Sequence, residues 1–269
     1  EELRPIRAFV RMGDGTAAEA PAVMDEATPT DLAPLREPPA APQVATHNFR
    51  FSEDYDLYPS GAKTKYKNNV MAIKLLKQIE LEKRTATPEE QIILARYVGW
   101  GGLANAFSST ASGWENEYQE LKSLLTDVEY KAAMNSTITA YYTEPDLIRH
   151  IYRALERFGF EGGPDRKILD PGMGTGNFYS VLPEQFQGSK LFGVELDSIT
   201  GRIAKQLYPD ADISIMGYEA TKFEDNSFDV ILGNIPFNSV KIYDRRYNDL
   251  NPYIHDYFFI KSLDLAKPG

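Results

Sequence analysis

Between residues 167 and 233 four short apolar runs alternate with helix-like segments, and this alternation leaves few folds open. The runs are KILD (167–170), LFGVEL (191–196), DISIM (212–216) and FDVILG (228–233), with TGNFYSVLP and SITGRIAKQL, which read as helical, between them. Strand–helix repetition at this spacing predicts an α/β fold with a parallel, doubly wound sheet. The chain closes on HDYFFIKSLDLAKPG, a helical pattern followed by Pro-Gly, where a further strand is expected. A bare edge on a parallel sheet invites pairing. The expectation is therefore a piece of a larger protein, or an edge covered by another segment.

Ahead of the alternation the pattern is helical. YKNNVMAIKLLKQIELEK sets Val70, Ile73, Leu76 and Ile79 on one face. Thr87-Pro88-Glu89-Glu90 forms a capping box that starts a helix running through QIILARYV to Gly101-Gly102. Thr126 to Glu129 forms another, and a further helix starts at Thr143-Glu144-Pro145-Asp146 and runs to Gly159. Residues 14–47 are rich in Pro and Ala without periodicity, and RPIRAFVRM before them has the pattern of a short strand. The expected organisation is an extended acidic arm or linker over 1–47, a helical subdomain over 48–139, and an α/β domain over 140–269 that is incomplete at its C-terminus.

The net charge of −10 argues at face value against a nucleic-acid partner. Residues 1–60, however, carry 11 acidic and 5 basic side chains, so much of the acidity sits in the arm. No cysteine is present, which excludes disulfides, zinc–thiolate sites and iron–sulfur clusters. Three scattered histidines give no metal-ligand pattern, so no metal is expected. No apolar run approaches the ~20 residues of a membrane span, and a cytoplasmic location is the default expectation.

Asp170-Pro171-Gly172-Met173-Gly174-Thr175-Gly176-Asn177-Phe178 directly follows the first strand. Glycines there allow a sharp turn and let a ligand lie against bare amides at a helix start. The G-x-G-x-G spacing differs from that of dinucleotide folds. An acid at the strand end repels a pyrophosphate and suits a cation. The second strand ends at Glu195-Leu196, where a carboxylate can accept both hydroxyls of a ribose. A nucleoside with a cationic, amino-acid-like end fits both acids, and S-adenosyl-L-methionine is such a molecule. After the third strand, Tyr218 is a candidate to pack on the adenine of that ligand and Glu219 to accept its amino group, or Glu219 is a solvated loop acid.

Asn234-Ile235-Pro236-Phe237 ends the fourth strand. An exocyclic amine conjugated to a ring is a poor nucleophile. Two acceptors on its N–H groups, the Asn234 side-chain oxygen and the Ile235 carbonyl, favour a pyramidal nitrogen and aim its lone pair. Pro236 stiffens the turn and Phe237 stacks on the base. Such contacts strengthen as charge grows on nitrogen. No strong general base is required, in keeping with a segment that has no histidine beside it in sequence.

DPGMGTGNF, GVELD and GNIPF together resemble the class I methyltransferases that modify exocyclic amino groups, above all N6-adenine DNA methyltransferases. The resemblance implies a Rossmann-like methyltransferase fold. It also implies that Asp170, Gly172, Gly174, Gly176, Asn177, Phe178, Glu195 and Leu196 hold S-adenosylmethionine, and that Asn234, Pro236 and Phe237 hold a flipped adenine. Ala140–Thr143, with Tyr142 and Thr143 as the candidate contacts, resembles the segment that closes over the methionine end, although Thr143 also suits a helix N-cap. Its position upstream of the glycine loop matches the gamma order of motifs. RYVGWGGLANAF, GVELDSITGRIAKQLYP and NPYIHDYFF resemble the methyltransferase module of large helicase–methyltransferase proteins of bacterial mobile elements and phages. That implies DNA as partner, along with helicase or target-recognition segments of a larger polypeptide. Ile235 departs from the family's proline.

Other features read more than one way. Trp100 in VGWGG lines the cleft or is a buried indole at a helix stop. The seven basic residues of 63–84 form a solvated face or meet phosphates. Asp244-Arg245-Arg246 is a better candidate for DNA contact, and His255-Asp256 reads as helix-start packing and capping. The alternatives to DNA methylation are the same chemistry on a protein glutamine or an RNA base, and a non-catalytic, cofactor-binding or structural module. The glycine spacing disfavours a dehydrogenase.

Overall fold

In the computed structural model the chain is described over residues 47–58, 60–137 and 143–268. The expected arm up to residue 46, the RPIRAFVRM segment and Tyr142 lie outside them. The elements in order are α1 (Ala62–Leu81), α2 (Pro88–Ala95), α3 (Glu115–Leu124), α4 (Asp127–Ser136), α5 (Pro145–Arg157), β1 (Lys167–Asp170), α6 (Asn177–Ser180), β2 (Lys190–Glu195), α7 (Ser198–Leu207), β3 (Asp212–Ile215), β4 (Val230–Ile231) and α8 (Ile254–Leu265). The strands form one parallel sheet in the order β3-β2-β1-β4. The fold is α/β, Rossmann-like, with the helical region on one side.

Period-2 alternation divides the sheet's side chains between two cores. Ile168, Leu191 and Ile213 join Ile73, Leu76, Ile79, Leu94 and Ile203 in a large cluster under the helices. Leu169, Val194 and Phe228 face the other way and meet Tyr218, Tyr247, Tyr257, Phe258 and Leu265. The second face is therefore covered mainly by α8 and its aromatic rings. Among the described residues no helix is long and apolar enough to cross a membrane.

Both capping boxes form as the sequence predicts, Thr87 with Glu90 and Thr126 with Glu129. Glu129 does more: its carboxylate also meets Lys77 of α1 at 3.1 Å and Arg202 of α7 at 2.9 Å. Burial works against its charge, but the Thr126 amide and the two cations hold its pKa down to about 2. One carboxylate thus joins three helices.

Several local expectations fail. α2 stops at Ala95, short of the double glycine. The Asn69 side chain supplies the reason, accepting from Val98 N–H (2.9 Å) and donating to the Gly99 carbonyl (2.5 Å), which satisfies an irregular backbone. α3 was not anticipated; its N-cap is Trp114, which makes no side-chain cap bond. TGNFYSVLP yields only the single turn of α6. Glu144, not Thr143, is the N-cap of α5. The ladder of β4 is two residues long, and its edge is not bare. Ser227 and Phe228 N–H donate to the Leu265 carbonyl, and Lys267 N–H donates to that of Phe228 (2.8 Å), making a parallel bridge between Phe228 and Ala266. Asp229 fixes this corner by accepting from Lys167 N–H, Arg166 and Lys267.

The basic face of α1 is solvated, as expected, and part of it is also paired with acids. Lys63 pairs with Glu117, Lys74 with Glu120 and Lys77 with Glu129, the first two lysines with side chains 44% and 57% exposed. Trp100 is a buried indole, 1% exposed, packed edge-on against Phe107 and Tyr97.

Candidate functional site

The carboxyl ends of β1, β2 and β4 bring the expected motifs together, as a doubly wound sheet does at its ligand edge. The bend after β1 depends on glycines at specific places. Gly174 and Gly176 have φ of 57° and 86°, the left-handed region. Gly176 also lies against the Tyr208 ring, which a Cβ there would strike. Met173 donates its amide to the Val194 carbonyl (3.0 Å) and lays its sulfur over Gly193 of β2, in the volume a Cβ would need. Sequence reading missed Gly193, because only the paired register, Asp170 beside Gly193, puts it under the bend.

Two carboxylates face this bend. Asp170 is 1% exposed; its Oδ1 accepts from Gly172 N–H (3.1 Å), and its Oδ2 is buried with no partner. Burial, with Glu195 nearby, pushes its pKa up to about 8. Glu195 accepts from Gly174 N–H (2.9 Å) through one oxygen and from Asp197 N–H (2.7 Å) through the other. Burial raises it too, to about 7, against the Asp197 and Gly174 amide hydrogen bonds, which favour the carboxylate. A buried acid with an orphaned oxygen is costly and asks for a cationic or hydrogen-bond-donating partner. The amino group and ribose hydroxyls of S-adenosylmethionine supply both, so the residues present fit that cofactor. Leu196, beyond Glu195, is exposed, and Asn177 donates to the Thr143 carbonyl at 3.4 Å, tying the segment before α5 to the bend.

Asn234-Ile235-Pro236-Phe237 follows β4 with no regular hydrogen-bonded structure. It adjoins the glycine bend: a Cβ on Gly172 would lie 3.6 Å from the Asn234 carbonyl oxygen and 3.8 Å from Pro236 Cδ. Gly233, just before it, makes room for Asp170, whose Oδ1 a Cβ at residue 233 would strike. The two motifs thus touch through glycines. Phe237 is 72% exposed and stacks on His255 of α8, with ring centroids 5.1 Å apart and planes 13° apart. Folding therefore places a histidine beside the motif that has none beside it in sequence.

Three other candidates sit elsewhere than expected. The Tyr218 ring is 2% exposed, packed on Phe258 (4.9 Å) and under the Lys261 ammonium (4.8 Å), with its hydroxyl against Ser262. Burial raises its pKa to about 12. It offers no face to a ligand in this arrangement, whereas Glu219 beside it is exposed. Phe178 is likewise a core residue, and its carbonyl accepts from the Tyr152 hydroxyl. Arg246 is committed to Asp225 and Asp264, and Asp244 accepts from Tyr257 and pairs with Lys261 at 3.9 Å, so of that trio only Arg245 has no ion pair among the described residues.

The family model described as "Methyltransferase domain" matches residues 169–246, which run from β1 through the Asn234 segment. Over 208 residues the chain is 27% identical to "Defense against restriction protein B" of Escherichia phage P1, covering 75% of this chain and 7% of that protein. Over 78 residues it is 32% identical to "Modification methylase CviBIII" of Paramecium bursaria Chlorella virus NC1A, covering 29% of this chain and 21% of that enzyme. The chain thus spans only a small part of either relative. Among solved structures, a Listeria monocytogenes protein described as a class I S-adenosylmethionine-dependent methyltransferase is similar with a TM-score of 0.41 and 16% identity, covering 77% of this chain and 72% of that one.

Proposed function

We propose that this chain, residues 169–246 of which match a methyltransferase-domain family model, is a class I S-adenosylmethionine-dependent methyltransferase that transfers a methyl group to the exocyclic N6 amine of adenine in DNA. The observation that carries the reading is the apposition of the Asn234–Phe237 segment to the glycine bend: a Cβ on Gly172 would meet the Asn234 backbone carbonyl oxygen at 3.6 Å and Pro236 Cδ at 3.8 Å. On this reading the Asn234 amide, the Ile235 carbonyl and the exposed Phe237 ring serve the target base beside the methyl donor.

When bound, the cofactor would supply an electrophilic methyl on a sulfonium: as the new N–C bond forms the S–C bond breaks, the thioether product leaves, and the amine's surplus proton passes to water. Asp170 and Glu195, with the amides of the glycine bend, hold and orient that ligand. The Asn234 side-chain oxygen and the Ile235 carbonyl accept the two N–H groups of the target amine and favour a pyramidal nitrogen whose lone pair faces the methyl donor. Those acceptors gain strength as positive charge builds, so they stabilise the transition state more than the ground state. Phe237 presents a flat apolar face to the base. Stacking on such a ring is worth about 1–3 kcal/mol, comparable to the few kcal/mol of drawing a base from a duplex. The name of one viral relative, a modification methylase, supports DNA as the substrate. Recognition of a particular site is assigned to other segments of a longer polypeptide.

The test is methyl transfer from labelled S-adenosylmethionine to unmethylated DNA, RNA and mixed proteins in parallel. Label in DNA at N6 of adenine, lost in Asn234→Ala, is the expected result. Label only in protein or RNA moves the same chemistry to another amine, and cofactor binding with no transfer to any of the three removes the catalytic reading.

A further inference from the structure

Phe237 poses a mechanical problem. It projects from a segment without regular hydrogen bonding and is mostly exposed, yet stacking on a base needs a ring of fixed plane. What fixes it comes from 18 residues further along the chain. The His255 imidazole lies parallel to Phe237, and Tyr253 lies parallel to His255 on a second contact, 5.9 Å between centroids and 9° between planes. The Lys241 ammonium sits 4.5 Å from the Tyr253 ring centroid. His255 belongs to α8, which is anchored by Tyr257 and Phe258 in the second core. Backbone contacts join the same parts, since Ile254 N–H donates to the Val240 carbonyl (2.9 Å) and Lys241 bridges to Tyr253. An exposed ring is thus referenced, through one imidazole, to a helix anchored in the core.

Helix-start packing accounts for His255 being at the head of α8, but not for its plane matching that of an exposed phenylalanine. The imidazole Nδ1 is buried with no partner, and Nε2 lies 3.7 Å from an Asp256 carboxylate oxygen, beyond hydrogen-bond reach, so no hydrogen bond among the described residues sets the ring's orientation. The flat contact with Phe237 and Tyr253 is what orients it. With His255 on one face and the side chain 72% exposed, the opposite face of Phe237 is open.

We propose that His255, braced by Tyr253, is a positioning residue that fixes the plane of Phe237 and so presents its open face to a planar nucleobase. The proposal rests on the methyltransferase reading above and specifies a flat aromatic base, not an aliphatic amide, as what the site accepts. His255 acts through Phe237 and takes no proton from the substrate amine. Misplacing a reacting group by about 1 Å can cost on the order of 100-fold in rate, and loss of one brace is expected to cost part of that.

Two measurements test it, both on the full chain. In the first, the imidazole C–H protons are followed by NMR without substrate. A ring lying over Phe237 is shifted upfield, and Phe237→Leu moves those signals downfield. The absence of an upfield shift overturns the proposal whatever the enzyme does. In the second, methyl transfer to mixed-sequence DNA is compared in His255→Ala and His255→Phe, with S-adenosylmethionine binding measured separately. The expected result is kcat down about 10-fold in the alanine variant, cofactor affinity unchanged, and rescue to within about 3-fold by phenylalanine, which restores a flat face. Equal rates for wild type and His255→Ala, or a phenylalanine variant as slow as alanine, overturn it while leaving the function reading intact. Wild-type protein that methylates no nucleic acid removes the function reading and the nucleobase with it; the ring-current shift, read without substrate, still decides whether His255 holds the ring.

Discussion

The two halves of the site are built in opposite ways. The glycine bend after β1 is a backbone construction: left-handed glycines, a methionine sulfur seated on Gly193, and carboxylates holding amide protons. The Asn234–Phe237 segment has no regular hydrogen-bonded structure of its own and exposes Asn234 and Phe237, with a stacked histidine behind the ring. A shared nucleoside cofactor calls for a prebuilt cradle. A base arriving from a polymer calls for an open face that lets it in. The contrast implies that substitutions in the bend act on folding and cofactor affinity, and that substitutions in the segment act on transfer.

The largest expected effect lies on the open side. Asn234→Ala is expected to slow methyl transfer by about 100-fold or more, the scale of removing one transition-state hydrogen-bonding partner, with cofactor binding and melting unchanged in calorimetry. If cofactor binding falls with it, the division between the two halves is wrong. Next comes the closed side. Gly193→Val drives a side chain into Met173 and is expected to destabilise the fold by about 1–3 kcal/mol, as overpacking does, seen in urea unfolding as a lower midpoint with the same slope.

Asp170 sharpens the comparison through pH. Its pKa of about 8 without ligand stands far above the ordinary 3.8 because of burial. Below that value the group is protonated and meets a cation poorly; above it, it is a carboxylate. Cofactor affinity is therefore expected to rise from pH 6 to about 8, by at most about tenfold per pH unit for one proton, and then to level off. Asp170→Asn is expected to weaken binding about tenfold at pH 8 and to flatten the profile. For stability the sign is opposite: a carboxyl whose folded pKa is raised penalises the ligand-free fold as pH climbs from about 4 toward 8. The smallest effect is remote from both halves. Glu129→Gln loosens the contact among α1, α4 and α7 and is expected to cost about 1 kcal/mol, since its cationic partners are partly solvated. Transfer per folded molecule should not change.

What could be read from the sequence was what local chemistry dictates. KILD became β1 and the acid pair Asp170 and Glu195 came to face one bend, because strand period, glycine spacing and right-handed crossover leave little choice. Thr87 and Thr126 announced their helices through capping boxes that close within three residues. The misreadings share a cause in contacts across long stretches of chain. QIILARYV looks helical to its end, yet Asn69 satisfies the backbone beyond Ala95 from 29 residues away. Tyr218 reads as a loop aromatic, but α8, which arrives 36 residues later, buries it. Gly193 and Gly233 are ordinary strand-end glycines until Met173 and Asp170 fold against them. His255 becomes part of the site only when α8 returns to the loop.

The burial of Trp100 has a practical consequence. Both tryptophans of the chain, Trp100 and Trp114, are core residues between α2 and α3, and none lies in the sheet or its loops. Indole emission is therefore a local gauge of the helical layer and blind to the ligand edge. A change in that light on adding S-adenosylmethionine would report a message crossing the molecule, not a ligand touching the dye.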